Sequence, residues 1–374
     1  MSGIYIHIPF CTQACHYCDF HFSTHQRNKD SMVEMICREL ELRKEYLGNS
    51  IISTIYFGGG TPSLLEKEAL EKLLQTIRTH FTIEETTEIS LEANPEDLSE
   101  DKIAMFLKCG INRLSIGIQS FDDDQLHYMN RSHNANQAEK AVRNAKKAGF
   151  KNISIDLIYG IPSSDHQKWR YDLEKAVSLN VQHISSYCLT IEPATVFGKR
   201  KERGLLPAED EVYNAEQFEL LTSILETNGF EQYEVSNFCL PGYYSRHNSN
   251  YWKSEHYLGV GPAAHSYNGI SRQYNLENNS KYIQYLGKFQ IPFSMEILDL
   301  KTKANEYIMT RLRTKWGLDC EILKNEFGRS FEDINTILNK YQKLGYLIYE
   351  KTTIKLTKKG LLMADKITED LFII

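Results

Sequence analysis

The chain has 374 residues, 41% of them apolar and 25% charged, and carries a formal net charge of −6. This balance predicts a folded chain with one large domain and a smaller one, and the negative charge argues against a broadly nucleic-acid-binding surface. No apolar run reaches the about 18 residues of a membrane-spanning helix, eight cysteines are too sparse for a disulfide framework, and no secretory leader pattern opens the chain, so a reducing, cytoplasmic setting is expected.

Residues 4–8 alternate apolar and polar positions and predict a strand. Cys11, Cys15 and Cys18 follow at once, three thiols within eight residues. Cubane iron–sulfur clusters normally take four cysteines, and the next one, Cys37, falls in a helical pattern. The spacing therefore suits a cluster with one iron left free of protein. A structural zinc completed by His16 or His21 is a second reading, although zinc modules usually present paired cysteine knuckles and no second pair follows. Unliganded thiols are the third.

Beyond this loop, helical spacing over 31–46 is followed by strand-like runs at 53–57, 88–93, 112–118, 152–158 and 183–189. Helical stretches at 67–81, 101–109, 136–148 and 168–179 alternate with them. Ser99 is placed to cap the helix after it, and Gly110 and Gly149 stand where helix ends favour glycine. Six strands with intervening helices imply a parallel sheet, and right-handed crossovers curl it into an open sheet or a full or partial barrel. Polar residues gather where the strands end: Tyr5 and His7, then Gly58 to Pro62, Glu92 and Asn94, Gln119 and Ser120, Asp156, and Tyr187 to Glu192. A barrel collects such residues at one mouth.

The run Gly58, Gly59, Gly60 lacks the lysine of a phosphate loop and the spacing of a dinucleotide fingerprint. Bare backbone there would let the polar end of a ligand lie against N–H and C=O groups, which suits an amino-acid moiety. Later, His247 stands close to Tyr251 and Trp252, and His265 lies in a glycine-rich and alanine-rich turn. After a boundary near 290–300, helical patterns at 302–312, 320–327 and 331–344, strands at 347–350 and 353–356, and a helix from 358 suggest a winged-helix shape. Its modest basic excess permits DNA binding without indicating it.

Together, the Cys-x3-Cys-x2-Cys loop with Tyr17 before its last cysteine, the Gly-Gly-Gly-Thr-Pro turn and the polar strand ends resemble the radical S-adenosylmethionine (SAM) superfamily. More closely, the whole chain resembles its HemW-type haem chaperones, relatives of oxygen-independent coproporphyrinogen III oxidase. The resemblance implies a partial (β/α)6 TIM-like barrel with a C-terminal winged-helix-like, α-rich domain. The expected division is a barrel at 1–230, a connecting region with a haem-binding segment at 231–300 and the last domain at 301–374. It further implies a [4Fe–4S] cluster on Cys11, Cys15 and Cys18, whose open iron takes the amino and carboxylate groups of SAM. The SAM contacts it implies are Tyr5, Gly59, Gly60, Thr61, Glu92, Gln119, Arg131 and Asp156. Carboxylates such as Glu92 and Asp156 suit ribose hydroxyls, and Gln119 and Arg131 offer directional donors near the cofactor's charged end. A reduced cluster would cleave a carbon–sulfur bond of SAM, chemistry that belongs to the cofactor while the barrel orients it.

Residues 247–252 match the His-Asn-x-x-Tyr-Trp motif associated with HemW, which makes His247 the leading axial haem ligand and His265 a weaker candidate. The oxidase carries another cysteine where this chain has Phe20, and a longer N-terminal segment, so oxidase activity is in doubt. The expected partners are haem and acceptor haem apoproteins, membrane-bound ones included. The resemblance also allows peripheral membrane association and a homodimer, and no nucleic acid is expected. The competing readings are a porphyrinogen-oxidising radical SAM enzyme and a zinc-dependent or DNA-binding regulator.

Overall fold

The computed structural model describes residues 2–328 and 331–372. The outer limits of the expected domains, at residues 1 and 374, lie outside the described residues. Six short apolar runs form the central layer: β1 (Ser2–Ile8), β2 (Ile52–Gly59), β3 (Ile83–Ala93), β4 (Arg113–Gln119), β5 (Ile153–Tyr159) and β6 (His183–Cys188). They pair in parallel in chain order. β2 is buried along nearly its whole length, the pattern of a strand covered on both faces.

The helices Lys29–Leu42, Lys67–His80, Glu100–Cys109, Ala135–Ala148 and Gln167–Ser178 supply the crossovers. Local chemistry sets their ends. The Ser99 side chain accepts a hydrogen bond from the Lys102 amide, and Gly110 and Gly149 close two helices in the left-handed conformation that other residues resist. Leu73, Ile77, Phe106 and Ala145 turn inward against β-strand residues such as Ile55, Leu91, Ile116 and Ile155 in one core.

Residues 231–300, in which sequence patterns suggested no strand, add six strands to the same sheet. β7 (Glu231–Glu234) and β8 (Asn237–Cys239) form an antiparallel extension beyond β6. On the other side, β9 (His256–Val260) pairs in parallel with β1. The antiparallel strands β10 (His265–Tyr267), β11 (Ser271–Asn275) and β12 (Phe293–Ile297) continue outward from it. β12 and β7 are the two edges, so the barrel is partial and does not close.

A buried ion pair locks this flank. Arg43 meets Glu39 at 3.1 Å, with both side chains almost wholly enclosed. Arg43 also donates to the Gly259 carbonyl, Ser266 and Gln273, while Glu39 accepts from Asn275, Tyr282 and the Gly261 amide. Burying a charged pair is costly unless its remaining donors and acceptors are satisfied, and these are met by residues from four separate segments.

The C-terminal part has the winged-helix order. The helix Leu300–Leu312, β13 (Leu318–Asp319), the helices Cys320–Phe327 and Phe331–Lys343, and the hairpin β14 (Leu347–Glu350) and β15 (Thr353–Leu356) succeed one another. The three strands pair in the order β13, β15, β14. Ile308, Leu312, Leu318, Leu323 and Ile354 belong to a separate core. The single final helix expected from 358 is split into Lys358–Leu361 and Ala364–Asp370. Lys315 pairs with Glu231, and Arg313 with Glu234, tying this part to β7.

Candidate cluster and cofactor site

All six parallel strands end on one side, and the cysteine loop leaves β1 there. The loop is closed by the Cys11 amide on the Ser23 carbonyl and the Ser23 amide on the Pro9 carbonyl. It is clasped to the turn after the short helix Asp123–Tyr128. The His16 amide donates to the Met129 carbonyl, Asn130 Nδ2 to the Ala14 carbonyl at 2.7 Å, and Gln13 Nε2 to the Asn130 carbonyl at 2.9 Å. Asn130 has a φ of 58°, a left-handed conformation that asparagine tolerates better than most residues. That turn delivers Arg131. Its Nη1 donates to Cys15 Sγ at 3.3 Å, and Nη2 donates to Asn94 Oδ1 at 2.7 Å and to the Gly117 carbonyl at 2.8 Å. Thr61 Oγ1 donates to Cys11 Sγ at 3.3 Å.

These donors fit a metal-bound thiolate better than a free thiol. Burial pushes Cys11 up to about 12 and Cys18 up to about 11. The chain alone therefore disfavours thiolates at Cys11 and Cys18, and a cationic cluster would reverse that preference. A hydroxyl and a guanidinium already aimed at two of the sulfurs match the supporting hydrogen bonds that metal-bound ligands accept. The two histidines weighed for zinc are engaged elsewhere. His16 Nδ1 pairs with the Tyr128 carbonyl and His21 Nε2 with Asn279 Oδ1.

Deeper in the mouth stand two carboxyls. Glu92 accepts from Tyr56 Oη at 2.8 Å and the Gly59 amide at 3.2 Å, and burial raises it to about 7. Asp156 accepts from Ser115 Oγ at 3.3 Å and is raised by burial to about 6. The charge of Asp156 adds to the rise at Glu92, and the buried guanidinium of Arg113 moderates both carboxyls. The Tyr5 hydroxyl pairs with His7 Nδ1 at 3.1 Å. At the end of β4 the ladder slips between Gly117 and Gln119, and Gln119 takes a φ of 70°. Such irregularities re-aim a side chain. Gln119 Nε2 lies 3.0 Å from the point that a Cβ on Gly117 would occupy.

The structure thus assembles the sequence-derived set at one mouth: Tyr5, Gly59, Gly60, Thr61, Glu92, Gln119, Arg131 and Asp156 around the cysteine loop. Sequence reasoning gave no role to Tyr56, Ser115 or Asn94. Asn94 bridges Arg131 and Thr61, and its place at a strand end before a proline, which favours extended backbone, was the available signal.

The glycine run also serves close packing. A Cβ on Gly59 would strike the His7 ring at 2.6 Å, and one on Gly60 would strike the Phe10 backbone at 2.7 Å. The Gly60 amide is bonded to the Ile8 carbonyl. These glycines admit the chain that leads into Cys11. One expectation needs correction: His247 is not presented to a cavity. It lies on the helix Arg246–Trp252 and is 2% exposed. Its Nδ1 pairs with Thr54 Oγ1 at 2.8 Å and its Nε2 with Tyr251 Oη at 2.9 Å, and its ring stacks on Tyr56 at 4.9 Å. Burial lowers it to about 3, so it is a neutral histidine inside the barrel, packed close to Gly3 near the start of β1.

Comparison with known proteins adds three findings. The radical SAM superfamily model matches residues 5–176, and the HemN C-terminal domain model matches residues 298–363. "Heme chaperone HemW" of Lactococcus lactis is 37% identical over 98% of this chain and 96% of that protein. The protein of the same description from Bacillus subtilis is 33% identical over 98% of each. Among solved structures, coproporphyrinogen III oxidase (HemN) from Escherichia coli aligns with a TM-score of 0.85 at 21% identity, over 99% of this chain and 90% of that one. At that identity the likeness establishes the fold.

Proposed function

Because this chain belongs to the HemW-type family of the radical SAM superfamily, we propose that it is a haem chaperone that binds haem, a [4Fe–4S] cluster and SAM, and passes haem to acceptor apoproteins. Cys11, Cys15 and Cys18 would hold the cluster. Tyr5, Gly59, Gly60, Thr61, Glu92, Gln119, Arg131 and Asp156 would surround SAM, which completes the coordination of the open iron and supplies radical chemistry where a reaction is run. The observation that carries the reading is the pair of donors, Thr61 on Cys11 and Arg131 on Cys15, which prepare a thiolate site at the mouth of the sheet.

The chain's own part is to position and shield. Arg131 binds the cysteine loop to β4 and to Asn94, so loop and cofactor floor move as one body. Glu92 and Asp156, held by Tyr56 and Ser115, offer acceptors to ribose hydroxyls. Phe20, at the position of the oxidase's additional cysteine, is 73% exposed, an apolar side chain with no means of acting on a proton. That favours delivery over porphyrinogen oxidation. Haem-requiring apoproteins, including membrane-bound ones, are the proposed acceptors, met in the cytoplasm or at the membrane surface. No helix among the described residues is long and apolar enough to cross a membrane.

The test is anaerobic reconstitution with iron and sulfide, an EPR titration with SAM, then haem loading and incubation with a haem-free acceptor. Cluster formation, a SAM-perturbed signal and stoichiometric haem transfer are expected. Porphyrinogen turnover with SAM cleavage and no transfer would replace the chaperone reading with the oxidase one.

A further inference from the structure

Arg113 opens β4 and is only 1% exposed. Leu114 and Ile116 of the same strand join the core beneath the helices, so alternation turns Arg113 and Ser115 to the opposite, inner face. Register sets Arg113 beside Ser90 and Ser115 beside Glu92, and Ser115 Oγ reaches Asp156 at 3.3 Å. The guanidinium is thus rooted one step, about 7 Å along the strand, before the row that carries the two carboxyls of the mouth.

This guanidinium has no protein partner. Its Nε makes no hydrogen bond, and no described residue forms an ion pair with it or accepts from it. An unpaired charge is costly to bury, so its place in the interior calls for a reason. The neighbouring charges are already matched. Glu88 accepts from the Arg246 and His247 amides, Glu234 pairs with Arg313, and Arg131 is engaged by Cys15, Asn94 and the Gly117 carbonyl. Glu92 and Asp156 are left. Each accepts from a hydroxyl, and neither has an ion pair among the described residues.

The other titratable groups facing this space bring no charge near neutral pH. Burial raises Tyr5 on β1, Tyr56 on β2, Tyr187 on β6, Tyr233 on β7 and Tyr251 on the helix Arg246–Trp252. It also pushes the Cys239 thiol on β8 up to about 12. Burial lowers His7 on β1, His183 on β6 and His247 on that same helix. Arg113 acts on both Glu92 and Asp156 against the rise that burial imposes. The protonation state decides what these groups can do. An ionised carboxylate is an acceptor only, whereas a protonated carboxyl must place a proton of its own and competes with a donor for the same space.

Resting on the SAM-binding reading above, we propose that Arg113 is a positioning residue whose unpaired charge keeps Glu92 and Asp156 in the carboxylate form that accepts the ribose hydroxyls of SAM. The experiment measures SAM affinity of the cluster-loaded chain by EPR titration between about pH 5.5 and about pH 8.5. It compares the parent, Arg113→Met, Arg113→Lys, and Arg113→Met combined with Glu92→Gln and Asp156→Asn. Arg113→Met should bind SAM roughly tenfold more weakly near the acid end and about as well as the parent near the alkaline end, the pattern of carboxyl midpoints moved upward. Arg113→Lys should restore the parent's profile, and the combined variant should lose this pH dependence. Because the guanidinium is unpaired, Arg113→Met should melt no lower than the parent. An unchanged profile, an affinity loss equal at every pH, or a marked drop in melting temperature would make Arg113 a structural residue and overturn the proposal, with the SAM-binding reading intact. Failure of the parent chain to bind SAM would overturn both.

Discussion

Arg131 and Cys15, 116 positions apart, are joined by a hydrogen bond of 3.3 Å from guanidinium to sulfur. The contact exists because Asn130 adopts a left-handed turn whose side chain and carbonyl grip the cysteine loop on both sides. Replacing Arg131 by methionine keeps the volume but removes the donor, the charge and the brace to Asn94. Cluster retention should fall roughly 10- to 100-fold, the usual effect of losing a supporting partner of a metal ligand. Iron and sulfide analysis after anaerobic gel filtration checks this, and retention equal to the parent would show that the contact has no role in holding a cluster.

Glu92 predicts a pH signature. Burial raises it from its ordinary 4.5 to about 7. Between these values the unfolded chain has released its proton while the folded chain retains it. The contribution of Glu92 to stability is therefore present below pH 4.5 and is lost as pH rises through about 7. His7 and His247, lowered by burial to about 4 and about 3, pull the other way. The readout must accordingly be a difference. Glu92→Gln, which still accepts from Tyr56, should gain stability relative to the parent as pH rises across that window. Thermal melts of both proteins at several pH values decide it, and a difference independent of pH would refute the buried-carboxyl assignment.

These two cases separate what is legible in a sequence from what is not. Caps such as Ser99 and Gly110 act within one helical turn, and β1 to β6 carry short β-branched or alternating apolar patterns between helical stretches, so both could be read locally. β9 could not. Its residues His256 to Val260 become a strand because β1 offers an unpaired edge some 250 positions earlier in the chain, and tertiary pairing outweighs a weak local pattern. The site follows the same division. That special residues gather at strand ends is legible from alternation of strands and helices, whereas the Arg131 contact with Cys15 depends on how two loops meet. At His247 the match to the His-Asn-x-x-Tyr-Trp motif suggested a haem ligand, but its Thr54 and Tyr56 partners come from β2 and leave no trace near residue 247.

That difference is measurable. Removing the His247 ring leaves a cavity against Tyr56 and strips Thr54 and Tyr251 of a buried partner. His247→Ala should cost about 2–5 kcal/mol in urea unfolding. Thr54→Val, which removes one hydrogen bond at nearly constant volume, should cost about 1 kcal/mol. Both variants should retain the parent's haem spectrum. A lost Soret shift with unaltered stability would instead restore His247 as an axial ligand, released by movement of its helix.

Gly60 tests whether the glycine run serves the cysteine loop. Its missing Cβ makes room for the Phe10 backbone, which leads within one residue to Cys11. An alanine there cannot be accommodated by rotating a flexible side chain, since the obstructing atoms are main-chain N and O. Gly60→Ala should destabilise the fold by roughly 1–3 kcal/mol and, by displacing Cys11, lower cluster content further than stability alone explains. Gly48→Ala is the matched control. That residue has a left-handed φ of 56° with open space around it, so substitution should cost stability through backbone strain and leave iron content unchanged. If the two variants lost iron in proportion to stability alone, the close approach of Gly60 to Phe10 would be ordinary packing, with no special part in placing the thiol.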